Sequence, residues 1–347
     1  MSLALLLAAG LYLAGVATLR RRGDRWPVSR IAFFLVPGLG SIAAVTMSGV
    51  EAYDTTLLSL HMVQHMVLSM IAPIFLALGA PVTLALRTLP RRLRGALLAA
   101  IHSRVAKVLT FPLVAFALFV VTPFALYFTG LYELTMRSSP LHELTHVHFI
   151  VVGCLFFWPL LGIDPLPGRW PYPGRALLMF LSTPFHTVLG LTIMQSKTLI
   201  GGDWYPSLNL GWVDPFVDQQ TAGGILWAGG EFVSITMLAV LVVQWMRNAE
   251  REARRVDRML DRQEAAAAAE AQVAAEAQVA AEAQAMRTEA AAESQAAVEG
   301  QVAVEAQAAV EAQAATAARQ RLPAEERTAP DGTIPTAAAT RRGAASR

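Results

Sequence analysis

The sequence predicts an all-α protein, a polytopic membrane bundle of about seven transmembrane helices with its N-terminus outside and its C-terminus cytoplasmic. Three observations carry that reading. Apolar residues make up 54% of the 347 and charged residues only 16%. Apolar runs of about 20 residues recur, the length that crosses hydrocarbon at 1.5 Å per residue. Basic residues gather in alternate loops between those runs, as they do on the cytoplasmic side of a membrane protein.

The runs fall at roughly 2–19, 28–50, 57–86, 105–128, 141–163, 175–199 and 222–246. The first has no basic residue ahead of its apolar core, lacks a small-residue cleavage site and is followed by Arg20–Arg22, so it reads as a span rather than a signal peptide. Pro37, Pro73, Pro112, Pro123, Pro159 and Pro184 sit within spans, where neighbouring helices satisfy the carbonyls they free. Gly79-Ala80-Pro81 predicts a break near the end of the third span. Asp218 is placed to cap the last span, whose Gly223, Gly224, Gly229 and Gly230 favour close helix contact.

Loops after the first, third and fifth spans hold Arg20–Arg22, Arg25 and Arg30, then Arg87, Arg91, Arg92, Arg94, Arg104 and Lys107, then Arg169 and Arg175. The opposite loops offer only Arg137 and Lys197, against Glu51, Asp54, Glu133, Glu143, Asp203, Asp214 and Asp218. The outward face is therefore acidic, which either concentrates cations or only reflects retention of the basic residues inside. The formal charge of +2 gives no case for a nucleic-acid partner; the lipid bilayer is the expected one.

Residues 1–246 form the expected membrane domain and 247–262 a basic juxtamembrane segment. Residues 263–322 are an Ala/Glu/Gln-rich tail, with EAQVAA at 270–275 and 276–281; this reads as a solvated helix or a partly disordered segment. A six-residue repeat drifts around a helix, so no heptad seam forms. Residues 323–347 read as disordered.

The chemistry sits in histidines. His61 and His65 lie one turn apart on the third span, and His142 and His146 repeat that spacing on the fifth. Both spans run from outside to inside, so the pairs enter at similar depth, and such pairs hold metal ions. Cys154 is the single cysteine, so any metal site draws on His, Met or carboxylates, and a buried inert thiol is its default reading. Met47, Met62, Met66, Met70, Met136 and Met194 are near enough to add thioether ligands or merely to fill space. His148 points off the 142/146 face and reads as a supporting or structural residue; His102 reads as solvated. His186 and Glu231 share a deeper level. They would either orient a ligand or clasp two helices.

Residues 142–146, His-Glu-Leu-Thr-His, also satisfy the H-E-x-x-H pattern of zinc proteases, but no third-ligand motif at a known spacing accompanies them, although Glu231 could serve, and His61/His65 are surplus to that chemistry. Histidines on separate spans are likewise compatible with a haem or quinone oxidoreductase. A purely structural chaperone is the fourth alternative.

HMVQHMVLSMIAPIFLALGAPVTLALR (61–87), SPLHELTHVHFIVVGCLFFWPLLGIDPLP (139–167), PFHTVLG (184–190) and DQQTAGGILWAGGE (218–231) resemble, in order, the CtaG-like family of multi-pass assembly proteins of caa-type cytochrome c oxidase. The likeness covers most of residues 1–260. It implies a non-enzymatic factor of the bacterial plasma membrane that supports copper supply to haem–copper cytochrome c oxidase subunits. The matching polar positions are His61, His65, His142, His146, His148, His186, Asp218, Gln219, Gln220 and Glu231. Their geometry nominates His61, His65, His142 and His146 as metal ligands, with His148, His186, Asp218 and Glu231 in support.

Overall fold

The computed structural model describes residues 1–167 and 170–321, apart from the side chain of Arg319; the segment 323–347 and Arg169 lie outside the described residues. Those residues are helical or irregular, with no strand among them. The helices are α1 (Ser2–Arg21), α2 (Val28–Tyr53), α3 (Leu58–Leu78), α4 (Pro81–Thr88), α5 (Arg91–Ile101), α6 (Arg104–Leu109), α7 (Pro112–Tyr127), α8 (Leu131–Arg137), α9 (Ser139–Leu161), α10 (Tyr172–Gln195), α11 (Trp204–Ser207) and α12 (Pro215–Gln320). Six of them are long and apolar enough to cross a membrane. The pair α7 and α8, bent by 71°, makes a seventh span when counted together. This is an all-α membrane bundle.

Prolines explain where the helices deform. Pro73 has no N–H for the carbonyl of Ser69, so the ladder in α3 steps to a wider turn over Val67–Ile71, where the Ala72 N–H reaches back to Val67. Pro37 does the same in α2, where Gly40 reaches back to Leu35. At the foot of α3, Ala80 takes a left-handed conformation (φ 52°) and Pro81 starts α4, the break that Gly79-Ala80-Pro81 predicts. The expected fourth span, 105–128, is interrupted: Phe111, ahead of Pro112, is extended and the helix restarts there as α7.

Two parallel helices form the axis of the bundle. His61 faces His142, His65 faces His146, and further along the Trp158 indole donates to the Pro73 carbonyl (3.0 Å). Between these contacts Gly153 meets the backbone of Ser69 so closely that a Cβ there would stand 2.2 Å from the Ser69 oxygen. At the far end, Asp164 accepts from the backbone N–H groups of Val82 and Thr83 and from the Thr83 hydroxyl, supplying from another segment the cap that α4 lacks. A second close crossing joins α10 to α12, where Gly190 and Gly223 face each other backbone to backbone.

The chain divides into two compact units, Met1–Arg254 and a second beginning at Arg255. In the second, every described side chain is exposed, and Gln272–Glu276, Gln278–Glu282 and Gln295–Glu299 hydrogen bonds run along the helix surface.

Candidate metal centre

The start of α3 and the start of α9 bring four imidazoles together. The ring centroids of His61 and His65 lie 3.9 Å apart with the rings tilted by 58°, and those of His142 and His146 lie 4.5 Å apart, edge to face. Across the helix pair His61 lies 5.6 Å from His142, and His65 lies 5.9 Å from His146. All four are buried. The pitch of one turn between pair members puts both on the face that α3 and α9 share.

Asp54, from the loop between α2 and α3, is the residue around which the donors close. Its Oδ2 accepts from His142 Nε2 (2.7 Å) and stands 3.9 Å from His146 Nε2. Ligand atoms of Asp54, His142 and His146 all lie within 4.8 Å of one another. Sequence reasoning placed Asp54 only among acidic loop residues. Its signal was position, three residues ahead of the histidine-bearing span.

Hydrogen bonds set which ring nitrogens stay free. His65 Nδ1 is 3.0 Å from the Tyr127 hydroxyl, which itself donates to Met62 Sδ (3.6 Å). Nδ1 is thereby engaged, and Nε2 is the His65 nitrogen left without a partner. His142 donates from Nε2 to Asp54, which leaves Nδ1 as its lone pair. Such bonds orient metal-binding imidazoles and raise their basicity. The remaining six of the eight ring nitrogens, on His61, His65, His142 and His146, are buried without a hydrogen-bond partner. Buried polar atoms are nearly always paired, so this concentration of unpaired ring nitrogens in one spot is the feature that asks for a ligand.

The supporting positions are arranged differently from expectation. Asp218 does not cap its own helix: Asp214 accepts from Phe216, while Asp218 accepts from the backbone of Ser59 and ties α12 to the start of α3, two residues ahead of His61. Glu231 accepts from the Thr187 hydroxyl rather than from His186. His186 turns its Nδ1 to the Ser182 carbonyl and faces a cavity of about 20 Å³ shared with His65 and Met66. His148 meets Thr122 on the exposed side of α9, away from the cluster. Cys154 is half-buried and joins no donor group among the described residues.

Residues 10–248 match the cytochrome c oxidase caa3 assembly factor (Caa3_CtaG) family, over more than half of the chain. The chain belongs to that family. Uncharacterized proteins of Mycobacterium bovis and Mycobacterium tuberculosis are each 44% identical to it over 258 residues, and one of Mycobacterium leprae is 38% identical. Each alignment covers 72% of this chain, which spans only 39% of the length of these relatives. No solved structure matches it.

In this member of the family, four imidazoles and a carboxylate make a donor set suited to copper and to other late first-row ions, and the Met62 thioether lines a small cavity with His65. His61 and His146 offer either nitrogen, His65 offers Nε2 and His142 offers Nδ1.

Proposed function

We propose that this protein is a non-enzymatic copper-handling assembly factor. It holds copper as cargo at His61, His65, His142 and His146, with Asp54 and Tyr127 orienting the rings, and supports its delivery to cytochrome c oxidase subunits. The observation that carries this is the six unpaired imidazole nitrogens, buried between α3 and α9 beside one carboxylate. A cargo ion must be released again. A mixed set of neutral imidazoles, one carboxylate and a thioether allows that by exchanging one ligand at a time. The alternation of basic loops supports placing the histidine end at the outer face of a bacterial plasma membrane, the side on which copper would be passed on. The family supports the oxidase as the recipient.

The test is metal analysis of the purified protein beside its His61→Ala/His65→Ala variant, together with the copper content of the oxidase in cells carrying each. Copper in the wild type, lost in the variant along with oxidase copper, is the expected result. Wild-type protein without copper, with normal oxidase in the variant cells, overturns the reading.

One observation favours a second reading. Asp54 supplies His142 and His146 with the third ligand that the H-E-x-x-H pattern lacked in sequence, and Glu143 lies beside them. A zinc hydrolase predicts that Glu143→Gln abolishes function while metal binding persists. The copper reading predicts that oxidase maturation continues.

A further inference from the structure

A second set of donors lies beside the first and shares a residue with it. Ligand atoms of Glu51, Glu143 and His146 fall within 4.8 Å of one another. Glu143 is exposed on α9, next to His142, and Glu51 is half-buried near the end of α2. The amide of Gln64 donates to Glu51 Oε2 (2.6 Å) and to the Val45 carbonyl (3.0 Å). Gln64 is itself wholly buried between the two histidines of α3, so Glu51 is held rather than left free to sweep through solvent. His146 is 0% exposed, and neither of its ring nitrogens has a hydrogen-bond partner. Glu51, Asp54 and Glu143 thus converge, and among the described residues no Lys or Arg pairs with any of them.

We propose that Glu51, Glu143 and His146 form a landing position for a divalent copper ion, which His146 then passes inward to Asp54 and the other histidines. This rests on the copper reading above. Three carboxylates without a fixed cation attract a divalent ion from water, and two carboxylates with one imidazole suit an ion that keeps part of its hydration. The inner position offers mostly nitrogen and is dry. Because His146 belongs to both sets, one ion occupies one position or the other. Transfer is ligand exchange: each bond to a rim carboxylate breaks as one to an inner imidazole forms, and copper remains divalent throughout.

The experiment mixes full-length protein in detergent with Cu(II) at low ionic strength, freezes it at intervals and reads the electron paramagnetic resonance spectrum. In the wild type an oxygen-rich cupric signal is expected first, giving way to one with nitrogen hyperfine structure from several imidazoles. Glu51→Gln/Glu143→Gln should lose the early signal, load about ten-fold more slowly and reach the same final spectrum. Glu143→Gln alone, on an exposed side chain that leaves folding undisturbed, should weaken the early signal. A wild type that shows the nitrogen-rich spectrum from the earliest time, whether or not the variants load slowly, reduces the carboxylates to a steering field and overturns the proposal. So does an early signal that survives in the double variant. Wild-type protein that takes up no copper at any time sinks the copper reading itself, and this proposal with it.

Discussion

Asp54 shows what a single residue contributes to the histidine cluster. Its carboxylate fixes the proton of His142 on Nε2 and so leaves Nδ1 available as a ligand. Asp54→Asn keeps the size of the side chain but removes the charge. It should weaken copper retention by about 10–100-fold, the usual effect of removing a carboxylate that orients a ligating histidine. Competition with a chelator of known affinity measures it. Tyr127→Phe removes the hydrogen-bond partner of His65 Nδ1 and should weaken retention in the same assay, in the same direction. At this scale the sequence was only half legible. The histidines announce themselves by spacing within apolar runs. Asp54 and Tyr127 come from segments whose approach depends on tertiary packing, and no local periodicity reveals that. Glu231 illustrates the limit further. Its depth in the bundle was readable, yet Thr187 binds it, because one residue along α10 turns the side chain by about 100°.

At the scale of elements, the cluster depends on how closely α3 and α9 approach. Gly153 sets that distance, since a Cβ there would meet the Ser69 carbonyl at 2.2 Å. Backbone cannot yield as a flexible side chain does, so Gly153→Ala must push the helices apart. The expected loss is about 1–3 kcal/mol of stability, typical of overpacking, read as a lower unfolding temperature in detergent. Copper retention should fall with it, although residue 153 lies two turns from His146. The sequence shows why the helices exist, in the apolar runs, and where α3 ends, in Gly79-Ala80-Pro81. It does not show that Pro73 shifts the ladder to a wide turn, or that Phe111–Pro112 divides the fourth span. A membrane proline can kink, widen or end a helix, and its packing neighbours decide which.

For the whole molecule, direction across the membrane decides whether the copper reading can work at all. The histidines, Asp54, Glu51 and Glu143 cluster where α3 and α9 begin, whereas Arg87, Arg91, Arg92 and Arg94 follow the end of α3. The copper reading, together with the positive-inside rule, predicts the acidic mouth outside and the arginines in the cytoplasm. The single cysteine makes this directly measurable. In a Cys154→Ala background, Asp203→Cys and Arg92→Cys each place one thiol outside the predicted spans, 203 between α10 and α11 and 92 at the start of α5, on faces predicted to be opposite. Treated as intact cells with a membrane-impermeant maleimide, the cells with Cys at 203 should be labelled and those with Cys at 92 only after lysis. The reverse pattern would turn the histidine end toward the cytoplasm. Copper held there would face the wrong compartment for transfer at the outer surface, and the four imidazoles would need a different role even if they bound metal in the purified protein.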